Sequence, residues 1–215
     1  MSDPAIAQAI SMRGIPEVLH FTTNNGLVGI LHTGRLSANA YLQAEQKLMH
    51  ILKINSTDRS RDAMWLGYAN LSISRINDYF FNYSKSRVKH EHAYWCILSF
   101  DPVILTHPGV HFVTTNNAYP LTVRATGSTG LEALFANSIR RKPSWTAYRK
   151  ADESTFHPTC RQAEALYPDH LSLSHLSKIY VENGDVYDEV FAQVSVLAPQ
   201  LFNHAQVIID SSKFA

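Results

Sequence analysis

The chain is poor in cysteine, in charged residues and in long apolar runs. Among its 215 residues there are two cysteines, and charged residues make up 17%. Cys96 and Cys160 are far apart and cannot form a disulfide framework, which favours a reducing compartment. No stretch reaches the length of a membrane span, and residues 1–13 lack the apolar core of a signal peptide. We therefore expect a cytoplasmic protein with no membrane partner.

Strong net charge is absent as well. The formal net charge is +1, so the chain is not a polycation, and any binding of nucleic acid must come from a local patch. The hydrophobic fraction of 45% is typical of a globular protein. The length fits one domain, and we find no repeat or low-complexity linker. We therefore predict a single domain over residues 1–215.

Several motifs that would name a chemistry directly are missing. The sequence contains no Walker-type loop, no G-x-G-x-x-G, no H-E-x-x-H and no paired C-x-x-C. Its eleven histidines do not combine with acids at a recognisable ligand spacing, so we expect no metal. A Cys160 nucleophile is an alternative, although nothing in the sequence indicates a lowered thiol pKa.

Hydrophobic periodicity predicts an α+β domain. A short strand over 15–21 precedes a helix that Gly34 ends, which places His20 beside a helix N-terminus, where polar ligands bind. An apolar run over 94–100 predicts a strand that buries Cys96. Further strands are predicted at 70–74, 110–114, 179–181 and 206–209, helices at 40–53, at 76–83 and near the C-terminus, and a loop at 55–62.

Residues 116–158 form a basic, aromatic segment within a nearly neutral chain. Its basic residues are Arg124, Arg140, Arg141, Lys142, Arg149 and Lys150, and its interleaved aromatics include Phe135, Trp145 and Tyr148. Cationic groups with stacking rings suit single-stranded nucleic acid. The alternative is a solvated loop that happens to be basic.

Glu164 lies between small and apolar neighbours, which predicts a partly buried carboxylate. Such a group is costly unless it is paired, so it usually has a structural or a functional role. An ion pair with Arg161 would be the structural reading. His20 could equally be a core histidine and Arg75 a surface arginine, so these residues taken singly leave both readings open.

Four segments in order resemble the DarT family, whose members ADP-ribosylate bases in single-stranded DNA. The resemblance covers roughly residues 15–182, and its most specific parts are the His-x-Thr opening and the Gln-Ala-Glu triplet. The four segments are His20 to Gly34, Tyr68 to Arg75, Phe112 to Ala118, and Arg161 to Asp169.

The resemblance implies an ADP-ribosyltransferase fold, in which two packed sheets form a cleft for NAD. NAD would be a substrate, with no metal required. The implied catalytic residues are Glu164 and Arg75, with Arg59 or Arg61 as alternatives to Arg75. The residues implied to bind NAD are His20, Thr22, Asn24, Gly29, Leu31 and Tyr68.

The resemblance further implies that the loop over about 116–158 holds the acceptor. The implied acceptor contacts are Asn117, Arg140, Arg141, Trp145 and Arg161. Family members often have histidine where this chain has Asn117, so the modified base can differ. RNA or protein as the acceptor, water as the acceptor, and a non-catalytic nucleic-acid-binding module are the alternatives.

As a member of this family the chain would be the toxin of a bacterial toxin–antitoxin or phage-defence system. Its expected partner is an antitoxin that removes ADP-ribose or blocks the site.

Overall fold

A computed structural model describes residues 3–42, 64–87 and 92–214. The α-helices are α1 (Pro4–Arg13), α2 (Asn24–Thr33), α3 (Asn39–Leu42), α4 (Asp78–Arg87), α5 (Gly127–Ala133) and α6 (Gly184–Leu197). The strands are β1 (Val18–Thr23), β2 (Arg35–Ser37), β3 (Tyr68–Ile73), β4 (Trp95–Phe100), β5 (His111–Val113), β6 (Arg124–Ala125), β7 (Ser138–Lys142), β8 (Trp145–Tyr148), β9 (Glu164–Pro168), β10 (His170–Ser172), β11 (Leu176–Val181) and β12 (Gln206–Ile209). Short 3₁₀ helices cover Pro102–Thr106, Leu173–His175, Pro199–Asn203 and Ser211–Phe214.

Eight strands form the main sheet in the order β12-β11-β4-β1-β3-β9-β5-β6. All neighbours are antiparallel except β11 and β12. The two central strands are joined by two residue pairs, Val18 with Ile73 and Leu19 with Ser72, and the ladder stops beyond them. The sheet therefore consists of two four-stranded halves that separate along β1 and β3. These halves correspond to the two packed sheets expected from the resemblance.

Each face of the sheet carries an apolar cluster. The larger cluster contains Leu27 and Leu31 of α2 and Val190 of α6, packed against strand residues such as Leu98. The smaller cluster lies on the opposite face and consists of Leu19, Ile76, Phe81, Trp95, Ile97, Tyr180 and Phe214. Apolar side chains that alternate along the strands thus reach both layers, as expected for a sheet covered on both sides.

The register shows on which face Glu164 lies. Leu71 pairs with Ala165 across β3 and β9, so Ser72 lies beside Glu164 in the antiparallel ladder. Ser72 also pairs with Leu19 of β1, a member of the smaller cluster. Residues that pair across strands point to the same face. Glu164 therefore projects on the face of the sheet that α4 covers.

Most of the elements predicted from periodicity are confirmed. The strand at 94–100 appears as β4, and Cys96 within it is fully buried, which raises its pKa to about 12. The helix predicted at 40–53 is seen only as α3; its remainder, and the loop predicted at 55–62, lie outside the described residues.

The segment over 116–158 is more ordered than the predicted loop. It contains β6, α5 and the hairpin of β7 and β8, with Ser138 paired to Tyr148. Leu131 and Leu134 within it are fully buried. These apolar residues fold the segment onto the sheet, so we call residues 116–158 the recognition insertion. Within the described ranges, no helix is long and apolar enough to cross a membrane.

Candidate active site

His20 bridges the two half-sheets where β1 and β3 separate. Its Nδ1 lies 3.0 Å from the backbone oxygen of Asn70. Burial lowers the pKa of His20 below its ordinary 6.5, so the ring is neutral at pH 7. A carbonyl oxygen accepts only a donated hydrogen, so Nδ1 carries the proton and Nε2 is left as an acceptor. His20 can thus accept a hydrogen bond from a ribose hydroxyl or an amide N–H.

The N-terminus of α2 follows His20 directly. Thr23 caps this helix by accepting a hydrogen bond from the backbone N–H of Gly26. A Cβ at Gly26 would lie 2.0 Å from Oγ1 of the buried Thr22, so only glycine fits there. Asn24 donates from Nδ2 to the backbone oxygen of His92 at 3.0 Å. The site thus offers a helix N-terminus close to His20, which suits an anionic ligand.

The other three residues expected to contact NAD have different surroundings. Gly29 is half-buried, and its backbone oxygen accepts from Thr33. Leu31 is 2% exposed within the larger apolar cluster, so its side chain is used for packing. Tyr68 is half-buried and packs against the rings of Trp65 and His111, 5.1 and 5.4 Å between centroids.

Glu164 is 8% exposed at the start of β9. Its Oε2 accepts a hydrogen bond from Nδ2 of Asn70 and another from the backbone N–H of Asn117, both at 3.1 Å. Asn70 therefore connects two site residues, because its backbone oxygen faces His20 while its side chain holds Glu164. The carboxylate is thus fixed in orientation on the face where the half-sheets part.

Asn117 is itself clamped by Arg124. The Nε of Arg124 donates to Oδ1 of Asn117 at 2.6 Å, and its Nη2 donates to the backbone oxygen of the same residue. The guanidinium carbon also lies 5.5 Å from the ring centre of Trp65. Since the N–H of Asn117 holds Glu164, Arg124 is a positioning residue for the carboxylate.

Arg75 follows Ser74, a non-glycine residue with a positive φ of 63°. Its Nη1 donates to Glu153 at 3.0 Å and its Nη2 to the backbone oxygen of Pro158 at 2.9 Å. The structure therefore places Arg75 against the C-terminal end of the recognition insertion. Arg59 and Arg61, the alternatives for the catalytic arginine, lie outside the described residues.

The hairpin of β7 and β8 carries three of the five predicted acceptor contacts, which are Arg140, Arg141 and Trp145. The guanidinium of Arg141 stacks on the half-exposed Trp145, 3.8 Å from the ring centre, and donates to Gln162. Arg140 is exposed. Arg161 pairs with Asp78 of α4 at 2.6 Å. Gln162 thus links the hairpin to the Gln-Ala-Glu triplet.

Comparison with known proteins identifies the family. A family model described as "ssDNA thymidine ADP-ribosyltransferase, DarT" matches residues 19–213. The chain belongs to the DarT family. No curated protein matches this DarT-family chain.

Solved DarT structures have the same fold. Thermus sp. 2.9 DarT in complex with ADP-ribosylated ssDNA is 16% identical with a TM-score of 0.60, and the match covers 94% of this chain and 97% of that one. Thermus sp. 2.9 DarT in complex with carba-NAD+ is 15% identical with a TM-score of 0.59, covering 93% and 97%. Thermosipho africanus DarTG in complex with ADP-ribose is 15% identical with a TM-score of 0.59, covering 92% of this chain and 50% of that one. This chain thus spans half the length of the Thermosipho protein.

Two polar contributors to the site were not predicted. Asn70 lay within a segment of recognised resemblance, but its hydrogen bonds depend on the pairing of β3 with β9 and on the gap beside β1. Arg124 was counted only as one of several basic residues. No local pattern distinguishes an arginine that clamps a backbone turn from one that faces solvent.

The structure also shows the surroundings of Cys160 and of the possible metal ligands. Cys160 is 1% exposed, and its Sγ lies 3.2 Å from Oγ1 of Thr115, so the thiol is packed in the interior. Across the described ranges, no group of three His, Cys, Asp or Glu side chains could hold a metal ion.

Proposed function

We propose that this DarT-family chain transfers ADP-ribose from NAD to a base in single-stranded DNA, with Glu164 as its catalytic carboxylate. The observation that carries the proposal is the setting of Glu164. Its Oε2 accepts hydrogen bonds from Asn70 and Asn117, and it is buried at the place where the half-sheets separate. Family membership supplies the reaction class.

The proposed reaction breaks the bond between nicotinamide and its ribose. The transition state carries positive charge on C1 and the ring oxygen of the ribose, and a carboxylate fixed in advance stabilises that charge without having to reorganise. Glu164 is held in this way by two donors. It also takes the proton from the attacking base, whose nucleophilic atom forms the new bond to C1 as nicotinamide leaves.

His20 and Thr22 position NAD in this proposal. Nε2 of the neutral His20 accepts from a ribose hydroxyl or from the carboxamide. Thr22 lies against Gly26 in the first turn of α2, whose N-terminus favours negative charge. Gly26 keeps this turn close to Thr22, so the polar groups of β1 and α2 converge on one ligand. Asn24, Gly29, Leu31 and Tyr68 complete the proposed NAD contacts.

The acceptor strand is proposed to lie along the recognition insertion. Arg141 and Trp145 already stack on each other, so a base that stacks on the half-exposed indole adds to an ordered surface. Aromatic stacking and cationic contacts to phosphate together favour a single strand. In this proposal Asn117 holds Glu164 through its backbone N–H and lies next to the acceptor base, while Arg140 and Arg161 contact the phosphates.

The role of Arg75 can be separated from that of its alternatives by substitution. Arg75 is tied to Glu153 and Pro158, so we expect its loss to loosen the recognition insertion and to raise the apparent KM for DNA. Loss of the catalytic arginine would lower kcat instead. Arg75→Gln, Arg59→Gln and Arg61→Gln, assayed in parallel with both substrates varied, assign the two roles.

The deciding experiment uses the purified chain, NAD and synthetic oligonucleotides of defined sequence. Mass analysis after reaction would detect one added ADP-ribose and identify the base and its sequence context. Glu164→Gln is the matched control, because it preserves shape and removes the charge. Single-stranded RNA, protein and buffer alone are the competing acceptors, and exclusive labelling of any of these would contradict the proposal.

We also propose that the chain acts in the cytoplasm as a toxin whose antitoxin removes ADP-ribose from DNA. The support is the fold shared with Thermosipho africanus DarTG, whose chain is about twice as long as the matched part. Induced expression should stop growth, and Glu164→Gln should not. Co-expression of an ADP-ribose hydrolase that acts on DNA should restore growth; failure to do so would contradict this mode of neutralisation.

A further inference from the structure

Helix α4 presents an exposed row of aromatic side chains that the fold does not require. Tyr79, Tyr83 and Arg87 follow one another at intervals of four residues, with Phe80 beside them. Residues four apart lie on the same side of a helix. Tyr79 is 71% exposed, Tyr83 48% and Phe80 37%. We call these four residues the aromatic stripe.

The opposite side of α4 anchors the helix. Phe81 is fully buried and makes edge contacts with Phe21, Trp95 and Phe214 at centroid distances of 5.3 to 6.0 Å. The inward side alone holds the helix in place, because Phe81 belongs to the smaller apolar cluster and Tyr79 and Tyr83 do not. Contiguous aromatic surface of this kind on a folded chain usually marks an interaction site.

The charges around the stripe favour an anionic partner. Asp78 is paired with Arg161 at 2.6 Å, and Lys85 with Glu182 at 3.4 Å. Arg87 donates to the hydroxyl of Tyr83 at 2.6 Å, and no acidic partner for it is found within the described part of the chain. The stripe thus combines exposed rings with an arginine beside them, the same combination as Arg141 with Trp145 in the recognition insertion.

The stripe lies on the catalytic face of the sheet. Phe80 contacts Phe21 of β1 at a centroid distance of 5.8 Å. Phe21 points to the same side of β1 as Leu19, which pairs with Ser72, the neighbour of Glu164 in the sheet. The ion pair of Asp78 with Arg161 ties the start of α4 to the segment that leads into Glu164, three residues later. The recognition insertion joins the same segment through Arg141 and Gln162. The hairpin and α4 therefore both contact the segment 161–162 that leads into Glu164.

We propose that the aromatic stripe binds the nucleotides of single-stranded DNA that flank the modified base. Bases stack on Tyr79 and Tyr83, and Arg87 contacts a phosphate between them. Stacking is indifferent to base identity, because every base has a π-face. The stripe would thus extend the footprint and add affinity without adding sequence preference. This inference rests on the proposed function for the presence of a target base.

The test compares long and short oligonucleotides. Binding is measured by fluorescence anisotropy without NAD, using a 20-nucleotide strand and a strand cut to the target base and its immediate neighbours. We expect Tyr79→Ala/Tyr83→Ala to weaken binding of the long strand about tenfold or more, and Arg87→Gln to weaken it less and to flatten its salt dependence. The short strand should bind both variants as it binds the original chain.

A matched control comes from α6. Phe191 is an exposed aromatic residue that stacks on Tyr187, in a helix that packs with α2 and β12. Tyr187→Ala/Phe191→Ala should leave binding of both strands unchanged. The unfolding temperature and the thermal shift produced by NAD should be the same in the α4 variants as in the original chain, since Tyr79 and Tyr83 lie outside the core. Tyr187 packs against the larger cluster, so binding by the α6 variant is measured well below its own unfolding temperature.

Three outcomes would overturn the proposal: equal losses for the α4 and α6 variants, equal losses for the long and short strands, or tighter stripe-dependent binding of RNA of the same sequence. Failure of the proposed function appears differently. If the long strand binds through the stripe but no ADP-ribose is transferred from NAD, then the binding surface stands and the reaction is wrong.

Discussion

Two glutamates, Glu17 and Glu164, are both buried but have different hydrogen-bond partners. Glu17, 4% exposed, precedes β1, and Glu164, 8% exposed, begins β9. Glu17 is bound by the ammonium of Lys213 and by the hydroxyls of Ser99 and Tyr180, at 2.7 and 2.8 Å for the hydroxyls. Glu164 is held by a carboxamide and a backbone N–H at the place where the half-sheets part.

The difference shows that burial of a carboxylate does not by itself indicate catalysis. Glu17 ties the C-terminal 3₁₀ helix, with Lys213 and Phe214, to the start of β1, so its contacts stabilise the fold. The contacts to Glu164 fix its direction beside Asn117, at the start of the recognition insertion. The structural role of Glu17 and the catalytic role of Glu164 are thus distinguished by their partners and by their positions in the sheet. Four predictions test this distinction.

The largest expected effect separates the two glutamates by activity. Glu164→Gln should lower the rate of ADP-ribose transfer by about 10² to 10³-fold, because a fixed charge that stabilises the transition state is lost. Glu17→Gln should keep the rate near that of the original chain at temperatures well below unfolding. Labelling of oligonucleotides with NAD measures both rates. A comparable loss of rate in the two variants would contradict the different roles of the two glutamates.

Next is the stability of the Glu17 cluster. Lys213→Met removes the cation and leaves a buried carboxylate without its ion pair, which should reduce the free energy of unfolding by about 3 kcal/mol. Urea denaturation measures the change. Adding Glu17→Gln to the same chain should recover part of the loss, because the stranded charge is then gone. A double variant no more stable than Lys213→Met would show that the ion pair does not carry the effect.

A smaller effect is expected at the clamp on Asn117. Arg124→Lys keeps the charge but loses the paired donors to Oδ1 and the backbone oxygen, so Glu164 is less well oriented. We expect kcat to fall about tenfold while KM for NAD changes little, since one charge-assisted contact contributes about 1.5–3 kcal/mol. Arg35→Lys, at an exposed position of β2, is the control. A change confined to KM would argue against positioning.

The smallest effect concerns pH. Burial alone would raise the pKa of Glu17, but hydrogen bonds from Lys213, Ser99 and Tyr180 outweigh it and hold the pKa below its ordinary 4.5. A lowered folded-state pKa contributes stability that is present above the unfolded value and lost as the pH falls through the folded one. Between about pH 5 and pH 3, stability should decline less steeply in Glu17→Gln, by at most about 1.4 kcal/mol per pH unit. Equal slopes would contradict the role of Glu17.

Much of the site was predictable because its sequence signals are local. The strand that ends near His20, the capped helix after it and the buried Cys96 all follow from periodicity and capping over a few residues. Glu164 was marked by its small and apolar neighbours and by the resemblance around Gln-Ala-Glu. The recognition insertion was predicted as a basic, aromatic segment, but its α5 and hairpin were not.

The sequence by itself determined the strands β1, β3, β4, β11 and β12 and the helices α2 and α4, and it marked Glu164 and His20 as candidates. Only the tertiary structure decided that Asn70 and Asn117 hold Glu164, that Arg75 faces Glu153, and that α4 lies on the catalytic face. The physical reason is that these contacts depend on strand order and register, which bring together residues far apart in the chain, as Lys213 meets Glu17 across 196 positions.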